Sequence, residues 1–124
     1  MKIIIVTDGN NKLGMGHVYQ SLTLAGYLLN RSNGNIEIKF FTKSDHYVVA
    51  ILKMSGCEVV YCENDDEILS FLEMEKPEKI IFDKLDVSPS LAKKIKEQLE
   101  SKLLIFTNLT SANDYADVTL LADI

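Results

Sequence analysis

KIIIVTDGNNKLGMGHVYQSLTLAGYLL, residues 2–29, contains a strand, a glycine-rich loop and a helix in direct succession. Residues 3–6 form a continuous β-branched run, which is typical of a strand buried on both faces. Across residues 15–30, apolar side chains recur at helical spacing, at Val18, Leu22, Ala25 and Leu29. Because a buried strand that leads through a short loop into a long helix begins a βαβ unit, this stretch predicts a parallel sheet.

The rest of the chain repeats the alternation of strand and helix. Further strands are predicted at residues 36–42, 58–62, 79–83 and 103–107, with a short sixth strand at 117–122. Helices are predicted at residues 45–55, 64–74 and 88–101. Short loops and right-handed crossovers favour a doubly wound parallel sheet with helices on both faces, a Rossmann-like α/β fold. The length predicts a single domain spanning residues 1–124.

Composition and charge narrow the classes of function. Of the 124 residues, 47% are hydrophobic and 25% are charged, which is enough apolar material for a core without disulfides. The net charge is -5, and the absence of a basic cluster argues against binding to nucleic acid or to an anionic membrane. The apolar run at the N-terminus is too short for a signal peptide or a membrane span, so a cytoplasmic location is predicted.

Neither the cysteines nor the acidic clusters predict a metal site. Cys57 and Cys62 are spaced for opposite faces of a strand, so we expect two structural thiols in a reducing compartment. Residues 65–67, Asp-Asp-Glu, suit the first turn of a helix because carboxylates interact favourably with the helix dipole there. No metal and no cofactor are predicted.

Ligands of open α/β sheets bind outside the carboxyl ends of the strands, which selects four loops before any motif is considered. These loops follow the first, second, fourth and fifth strands, at residues 7–16, 43–46, 83–86 and 108–111. The first loop is the most informative, since it holds three glycines and leads into the N-terminus of the long helix. Backbone N–H groups and the helix dipole favour an anion at such a position.

Two familiar phosphate-binding motifs fail in the first loop. Gly9 and Gly14 have the spacing of a Walker loop, but Met15 and Gly16 stand where lysine and serine or threonine are required. A dinucleotide fingerprint that begins at Gly14 would need its third glycine at Tyr19, and no acidic residue ends the second strand. A nicotinamide or flavin dinucleotide is therefore disfavoured.

What remains is Gly-x-Gly-His, with His17 in the first turn of the helix and facing the strand ends. The positive end of a helix disfavours an imidazolium, so we expect a neutral His17 that can act as a base. The alternative is a histidine that only caps or packs.

The other candidate residues of the loops indicate a functional site less strongly than His17 does. We expect Asp8 to accept hydrogen bonds from the N–H groups of its own loop. Asp83 ends the fourth strand at the predicted cleft and is either structural or functional. Lys84 is placed where it could pair with a phosphate, although an exposed lysine commonly has no specific role. We expect His46 to be a surface residue at a helix start and Met15 to pack.

Residues 7–17, TDGNNKLGMGH, followed by SLTLA at 21–25, resemble the N-terminal signature of the nucleotide-sugar hydrolases of pseudaminic acid synthesis. Those enzymes remove UDP from a diacetamido-trideoxy sugar, and they are similar in fold to the GT-B glycosyltransferase that makes lipid II. Residues 79–83, 103–107 and 117–121 resemble strands of the same N-terminal domain, so the resemblance covers nearly the whole chain in order. The chain departs from the family's pattern at Gln20, where an arginine is usual, and at Asp83-Lys84-Leu85, where Asp-His-Tyr is common.

The resemblance implies a role for each candidate residue. His17 would be the general base that acts on water or on an acceptor hydroxyl. The backbone of Gly14, Met15 and Gly16 would hold the sugar-phosphate region of a UDP-sugar. Asp83 and Asn108 would contact sugar hydroxyls or orient His17. Asp8 and Lys84 complete the predicted substrate-binding set.

The resemblance also implies a partner, because in GT-B enzymes the C-terminal domain holds most of the nucleotide contacts. With that domain absent from this chain, we expect a second α/β domain or a partner chain to complete the cleft, and little turnover by the isolated half. A homodimer is an alternative assembly. The leading interpretation is the N-terminal half of a nucleotide-sugar hydrolase or glycosyltransferase of surface-polysaccharide or nonulosonic acid biosynthesis.

A second interpretation is a non-catalytic Rossmann-like binding or assembly module that recruits a catalytic partner. The departures from the family's pattern favour this interpretation. A receiver-like signalling domain is disfavoured, because the third strand ends in Val-Tyr-Cys without the required aspartate.

Overall fold

The computed structural model describes residues 1–10, 14–106 and 110–120. Strands and helices alternate along the chain, as the sequence predicts. The elements are β1 (Lys2–Thr7), α1 (Gly16–Ser32), β2 (Glu37–Thr42), α2 (His46–Lys53), β3 (Glu58–Tyr61), α3 (Asp65–Glu75), β4 (Lys79–Asp83), α4 (Pro89–Gln98), β5 (Lys102–Phe106), a 3₁₀ helix (Ser111–Tyr115) and β6 (Val118–Leu120).

The strands form one parallel sheet in the order β3-β2-β1-β4-β5-β6. The chain starts in the middle at β1, winds outward to β3, and then returns to the other side of β1 as β4. This is the strand order of dinucleotide-binding folds, and it leaves a crevice where the winding direction reverses, between β1 and β4. The predicted doubly wound, Rossmann-like α/β fold is confirmed.

The core lies on both faces of the sheet, as the β-branched run of β1 predicts. Ile4 and Val6 pack in one buried cluster with side chains of α3 and α4. Ile3 and Ile5 point to the opposite face and pack with side chains of α1 and α2. Each of these four residues is at most 2% exposed, so β1 is enclosed on both faces.

The helices begin in two different ways. Asp45, Asn64 and Ser88 cap α2, α3 and α4, each by accepting hydrogen bonds from backbone N–H groups of the first turn. By contrast, α1 begins after Met15 with no hydrogen bond from a capping side chain. The N-cap residue of the helix that leaves the glycine-rich loop therefore makes no capping hydrogen bond with its side chain.

Most element bounds agree with the sequence prediction to within two residues, and the largest difference is at the end of α4. The predicted helix continues to Ser101, but the observed one ends at Gln98 and Leu99 adopts an extended backbone. The hydroxyl of Ser101 instead donates to the carbonyl of Pro77, which fixes the start of β5 beside the start of β4.

Cys57 is half-buried, Cys62 is buried, and both are free thiols, as the spacing predicts. Burial raises the pKa of Cys62 to about 12. Among the described residues, no group of three or more histidine, cysteine or acidic side chains is arranged to hold a metal ion. Over the same residues, no helix combines the length and apolarity that crossing a membrane requires.

Candidate functional site

A cleft of about 590 Å³ lies at the carboxyl ends of β1, β2 and β4, where the winding of the sheet reverses. It is lined by the loops after those three strands and by the start of α1. A larger depression of about 940 Å³ lies beside the amino ends of β4 and β5. Because open α/β sheets bind their ligands at the carboxyl ends of the strands, the smaller cleft is the candidate site.

The three glycines of the first loop differ in how strictly the fold requires a glycine at their positions. A Cβ at Gly9 would lie 2.8 Å from Cγ2 of Val18, so this glycine is required by packing against α1. Gly14 has a φ of 95°, which strains any other residue, and it exchanges two backbone hydrogen bonds with Asn10. A Cβ at Gly16 would meet nothing within 4 Å. The fold therefore accounts for Gly9 and Gly14, whereas Gly16 leaves open space at the first residue of α1.

His17 is held by the carboxylate of Asp83. Nδ1 of the imidazole lies 2.9 Å from Oδ1 of Asp83, and the histidine side chain is 24% exposed. His17 is also one of the residues that line the cleft. Nδ1 and Nε2 flank the same ring carbon, and their N–H or lone-pair directions diverge, so the contact at Nδ1 directs Nε2 away from Asp83.

The carboxylate of Asp83 accepts two more hydrogen bonds from α1. Nε2 of Gln20 donates to Oδ1 at 3.2 Å, and the hydroxyl of Ser21 donates to Oδ2 at 3.0 Å. The hydroxyl of Thr7 in β1 donates to the backbone carbonyl of Asp83. Asp83 is 0% exposed. Within the described part of the chain, the hydrogen bonds of its side chain are all made with α1, and His17 is among these partners.

Two opposing influences act on the charge of Asp83. Burial raises the pKa of this carboxyl by penalising its ionised form, while the hydrogen bonds from His17, Ser21 and Gln20 lower it. Burial prevails, so the pKa lies above its ordinary value of 3.8. The donors of α1 are therefore needed to stabilise the carboxylate.

Lys84 differs from the sequence expectation of an exposed lysine, because its side chain is only 6% exposed. Nζ lies 2.6 Å from Oδ2 of Asp8 and 3.8 Å from Oδ1 of Asp86. The reason is its position: Lys84 follows the buried end of β4 directly, where the neighbouring strand β1 delivers Asp8 as a counter-charge. The ammonium lines the cleft but is already paired.

Asp8 also differs from its predicted role. Its carboxylate accepts hydrogen bonds from the hydroxyl of Thr42 at 3.0 Å and from the N–H of Lys43 at 2.7 Å. These groups belong to the end of β2 and the loop after it, not to the loop of Asp8 itself. Burial alone would raise the pKa of Asp8, but the charge of Lys84 and these hydrogen bonds outweigh burial and place it below 3.8. Asp8 joins the ends of three adjacent strands.

The loop after β2 completes this wall of the cleft. Ser44 accepts a hydrogen bond from the N–H of Gly9 at 2.9 Å, which ties the two loops together. Nζ of Lys43 lies 2.9 Å from Oδ1 of Asp65 at the start of α3. Both described lysines that line the cleft are thus engaged in ion pairs.

The structure brings most of the predicted site residues together. Asp8, Gly14, His17 and Lys84 line the cleft, and Asp83 lies directly behind His17. Met15 is half-buried against the core below α1, and Gly16 is exposed at the helix start. Asn108 lies outside the described residues. His46 is exposed, as predicted.

Sequence reasoning missed Gln20 and Ser21 as partners of Asp83. Both lie one turn beyond His17, at i+3 and i+4, which places the three side chains on one face of α1. A serine in the apolar stripe of a helix was the available signal, since a buried hydroxyl requires a partner.

Comparison with known proteins gives a relative in sequence and several neighbours in fold, two of which are described below. No model of a known protein family matches the chain. The uncharacterised protein MJ1062 of Methanocaldococcus jannaschii is 43% identical over 121 residues, which is 97% of this chain and 24% of the relative. The chain therefore spans about a quarter of the length of that relative.

The lipopolysaccharide outer core galactosyltransferase WaaB superposes on 96% of this chain and 38% of its own, with a TM-score of 0.62 and 20% identity. Saccharopine dehydrogenase from Saccharomyces cerevisiae superposes on 96% of this chain and 26% of its own, with a TM-score of 0.58 and 15% identity. At these identities the two structures show a shared Rossmann-like fold. None of the three proteins is named as a hydrolase of pseudaminic acid synthesis, so that resemblance stays a prediction.

Proposed function

We propose that this chain is the N-terminal half of a nucleotide-sugar hydrolase or glycosyltransferase of surface-polysaccharide or nonulosonic acid biosynthesis. The observation that carries the proposal is His17, held at Nδ1 by a buried carboxylate and lining the cleft at the reversal point of the sheet. The fold neighbour WaaB is named as a galactosyltransferase, which supports this class of enzyme. The free thiols suit a reducing, cytoplasmic compartment.

His17 would serve as the general base. With the hydrogen of Nδ1 donated to Asp83, the lone pair of Nε2 can take a proton from water or from an acceptor hydroxyl. The oxygen thus activated would bond to the anomeric carbon as the bond from that carbon to the diphosphate oxygen breaks, with UDP as the leaving group. The imidazolium that forms would be stabilised by the charge of Asp83.

The open space at Gly16 would receive the sugar-phosphate region. A side chain there would not disturb the fold, yet the position bears none, which allows a ligand to approach the backbone closely. Met15, the N-cap residue of α1, makes no capping hydrogen bond, so the N–H groups of the adjacent turn suit oxygen atoms of a ligand.

A second α/β domain or partner chain would supply most of the contacts with the nucleotide. Lys84 and Lys43, the described lysines of the cleft, are paired with Asp8 and Asp65. A diphosphate would therefore take its counter-charges from elsewhere in the assembled protein.

The same ion pairs favour a second candidate function, a non-catalytic module that keeps the fold and recruits a catalytic partner. In that case the cleft would bind no nucleotide sugar, and its charged groups would only stabilise the strand ends.

The two functions are separated by a backbone-amide NMR titration with UDP-N-acetylglucosamine. We expect saturable shifts in the loops that line the cleft for the wild type and their loss in Gly16→Val. Gly26→Val is the matched control, because Gly26 is in the same helix and a Cβ there also meets nothing within 4 Å. Equal binding by both variants would show that Gly16 has no role in binding the ligand. Absence of binding by the wild type would favour the non-catalytic module.

A further inference from the structure

Three side chains of α1 converge on one buried carboxylate. His17 and Gln20 both face Oδ1 of Asp83, at 2.9 and 3.2 Å, while Ser21 faces Oδ2 at 3.0 Å. Their spacing of i, i+3 and i+4 places them on adjacent turns of one helix face. Ser21 is 0% exposed, although serine is a poor residue for the interior of an apolar helix. Its hydroxyl donates to Asp83 instead of to the helix backbone, so it is committed to this carboxylate.

A carboxyl group can meet a neutral imidazole in two ways. As a carboxylate it accepts a hydrogen bond from Nδ1–H, which leaves a lone pair on Nε2. As a carboxylic acid it donates to a bare Nδ1, which places the ring hydrogen on Nε2 and abolishes basicity on the cleft side. The chemistry open to His17 therefore depends on which form Asp83 takes.

The contacts of Gln20 and Ser21 discriminate between these two forms. An amide oxygen would be repelled by a carboxylate, so the group of Gln20 that faces Asp83 is its N–H donor. A proton on Oδ1 would weaken this hydrogen bond, and Oδ1 is the oxygen nearest to Nδ1 of His17. Ser21 stabilises negative charge on the second oxygen. Both donors favour the acceptor-only carboxylate, against the burial that favours the acid.

We propose that Gln20 and Ser21 are positioning residues that, acting through Asp83, hold His17 in the tautomer with its hydrogen on Nδ1 and the lone pair of Nε2 toward the cleft. The catalytic significance of this tautomer rests on the proposed function. The tautomer itself is a property of the ligand-free chain.

The test is a measurement of the ring-nitrogen shifts of His17 in the ligand-free chain labelled with ¹⁵N-histidine, because protonated and bare ring nitrogens differ strongly in shift. It is made at about pH 8.5, well above the ordinary imidazole pKa of about 6.5. His46, which is exposed at the start of α2, serves as an internal reference. The variants are Gln20→Ala, Ser21→Ala, their combination, and Gln20→Arg, which keeps an N–H donor. Asn30→Ala, an amide truncation at an exposed position of the same helix, is the matched control.

We expect the wild type to hold its hydrogen on Nδ1. Each alanine variant should lower the ratio of the Nδ1–H to the Nε2–H tautomer by about tenfold, the factor that corresponds to losing one hydrogen bond to a charged group. The combined variant, which loses two such bonds, should lower the ratio further than either single variant. Gln20→Arg and Asn30→Ala should keep the wild-type ratio. An Nε2–H tautomer in the wild type, or an unchanged ratio in the combined variant, would overturn the proposal.

The result is separable from the proposed function and from simple unfolding. If the variants shift the tautomer ratio but the wild type binds no nucleotide sugar, the positioning role stands and the proposed enzymatic function is refuted. If the wild type binds a nucleotide sugar but the variants leave the tautomer ratio unchanged, the proposed function stands and the positioning role is refuted. Should Ser21→Ala fail to fold, Gln20→Ala decides the matter alone, because Gln20 is exposed and its truncation leaves the core untouched.

Discussion

The ion pair between Asp8 and Lys84 is expected to be a major contributor to the stability of the cleft. Replacing Asp8 by asparagine keeps its shape but turns an amide N–H₂ toward the ammonium of Lys84, 2.6 Å away in the wild type. Removing one partner of a buried pair costs about 3–5 kcal/mol. The lower end applies here, about 3 kcal/mol, because the Asp8 side chain is 25% exposed and Asp86 lies within 3.8 Å of the same ammonium.

Urea unfolding followed by circular dichroism measures this loss. With an m-value of about 2 kcal/mol/M, the midpoint of Asp8→Asn should fall by about 1.5 M at pH 7. Adding Lys84→Met removes the stranded charge, so the double variant should recover much of the loss. Because the pKa of Asp8 is lowered on folding, its stabilisation is present above 3.8 and is lost as the pH falls through the folded-state pKa. A loss below about 1 kcal/mol, or additivity of the two substitutions, would refute this reasoning.

Three further predictions follow from burial and packing. Asp83→Asn should become more stable relative to the wild type as the pH rises above 3.8, since the raised pKa of Asp83 means that its ionisation costs stability. If the stability difference from the wild type changed with pH in the same direction as that of Asp8→Asn, this prediction would be wrong. Gly9→Ala should lower the free energy of unfolding by about 2 kcal/mol, because the added methyl group overpacks against Val18. Gly16→Ala should keep the free energy of unfolding within about 0.5 kcal/mol of the wild type, and equal losses for the two variants in urea unfolding would argue against the assigned contacts. Cys62, with its pKa raised to about 12, should resist iodoacetamide at about pH 8 until urea is added, and rapid native alkylation would show that it is accessible.

The fold was predictable because it depends on patterns that local sequence carries. The β-branched run of β1, buried on both faces, and the regular alternation of strand and helix are enough to predict a doubly wound sheet. The strand order then follows from a chain that begins in the sheet's centre. The end of α4 at Gln98 was harder to predict, because the hydroxyl of Ser101 donates to the carbonyl of Pro77, which is distant along the chain.

The site was predictable only in part. His17 and Asp83 are identified by their places at the ends of α1 and β4, but the burial of Lys84 depends on the register that sets Asp83 opposite Thr7. The role of Asp8 depends similarly on the loop after β2, which is 35 residues away along the chain. Such pairings are long-range and have no local sequence signature, so single-sequence reasoning assigned both residues to simpler roles.

The central claim is that a nucleotide sugar binds beside His17. The most direct test follows the imidazole resonances of the chain's two histidines while UDP-N-acetylglucosamine, and then the free sugar, is added. We predict a saturable shift at His17 with little change at His46, which is exposed at the start of α2. No response of His17 at millimolar ligand, or equal responses of both histidines, would contradict the claim.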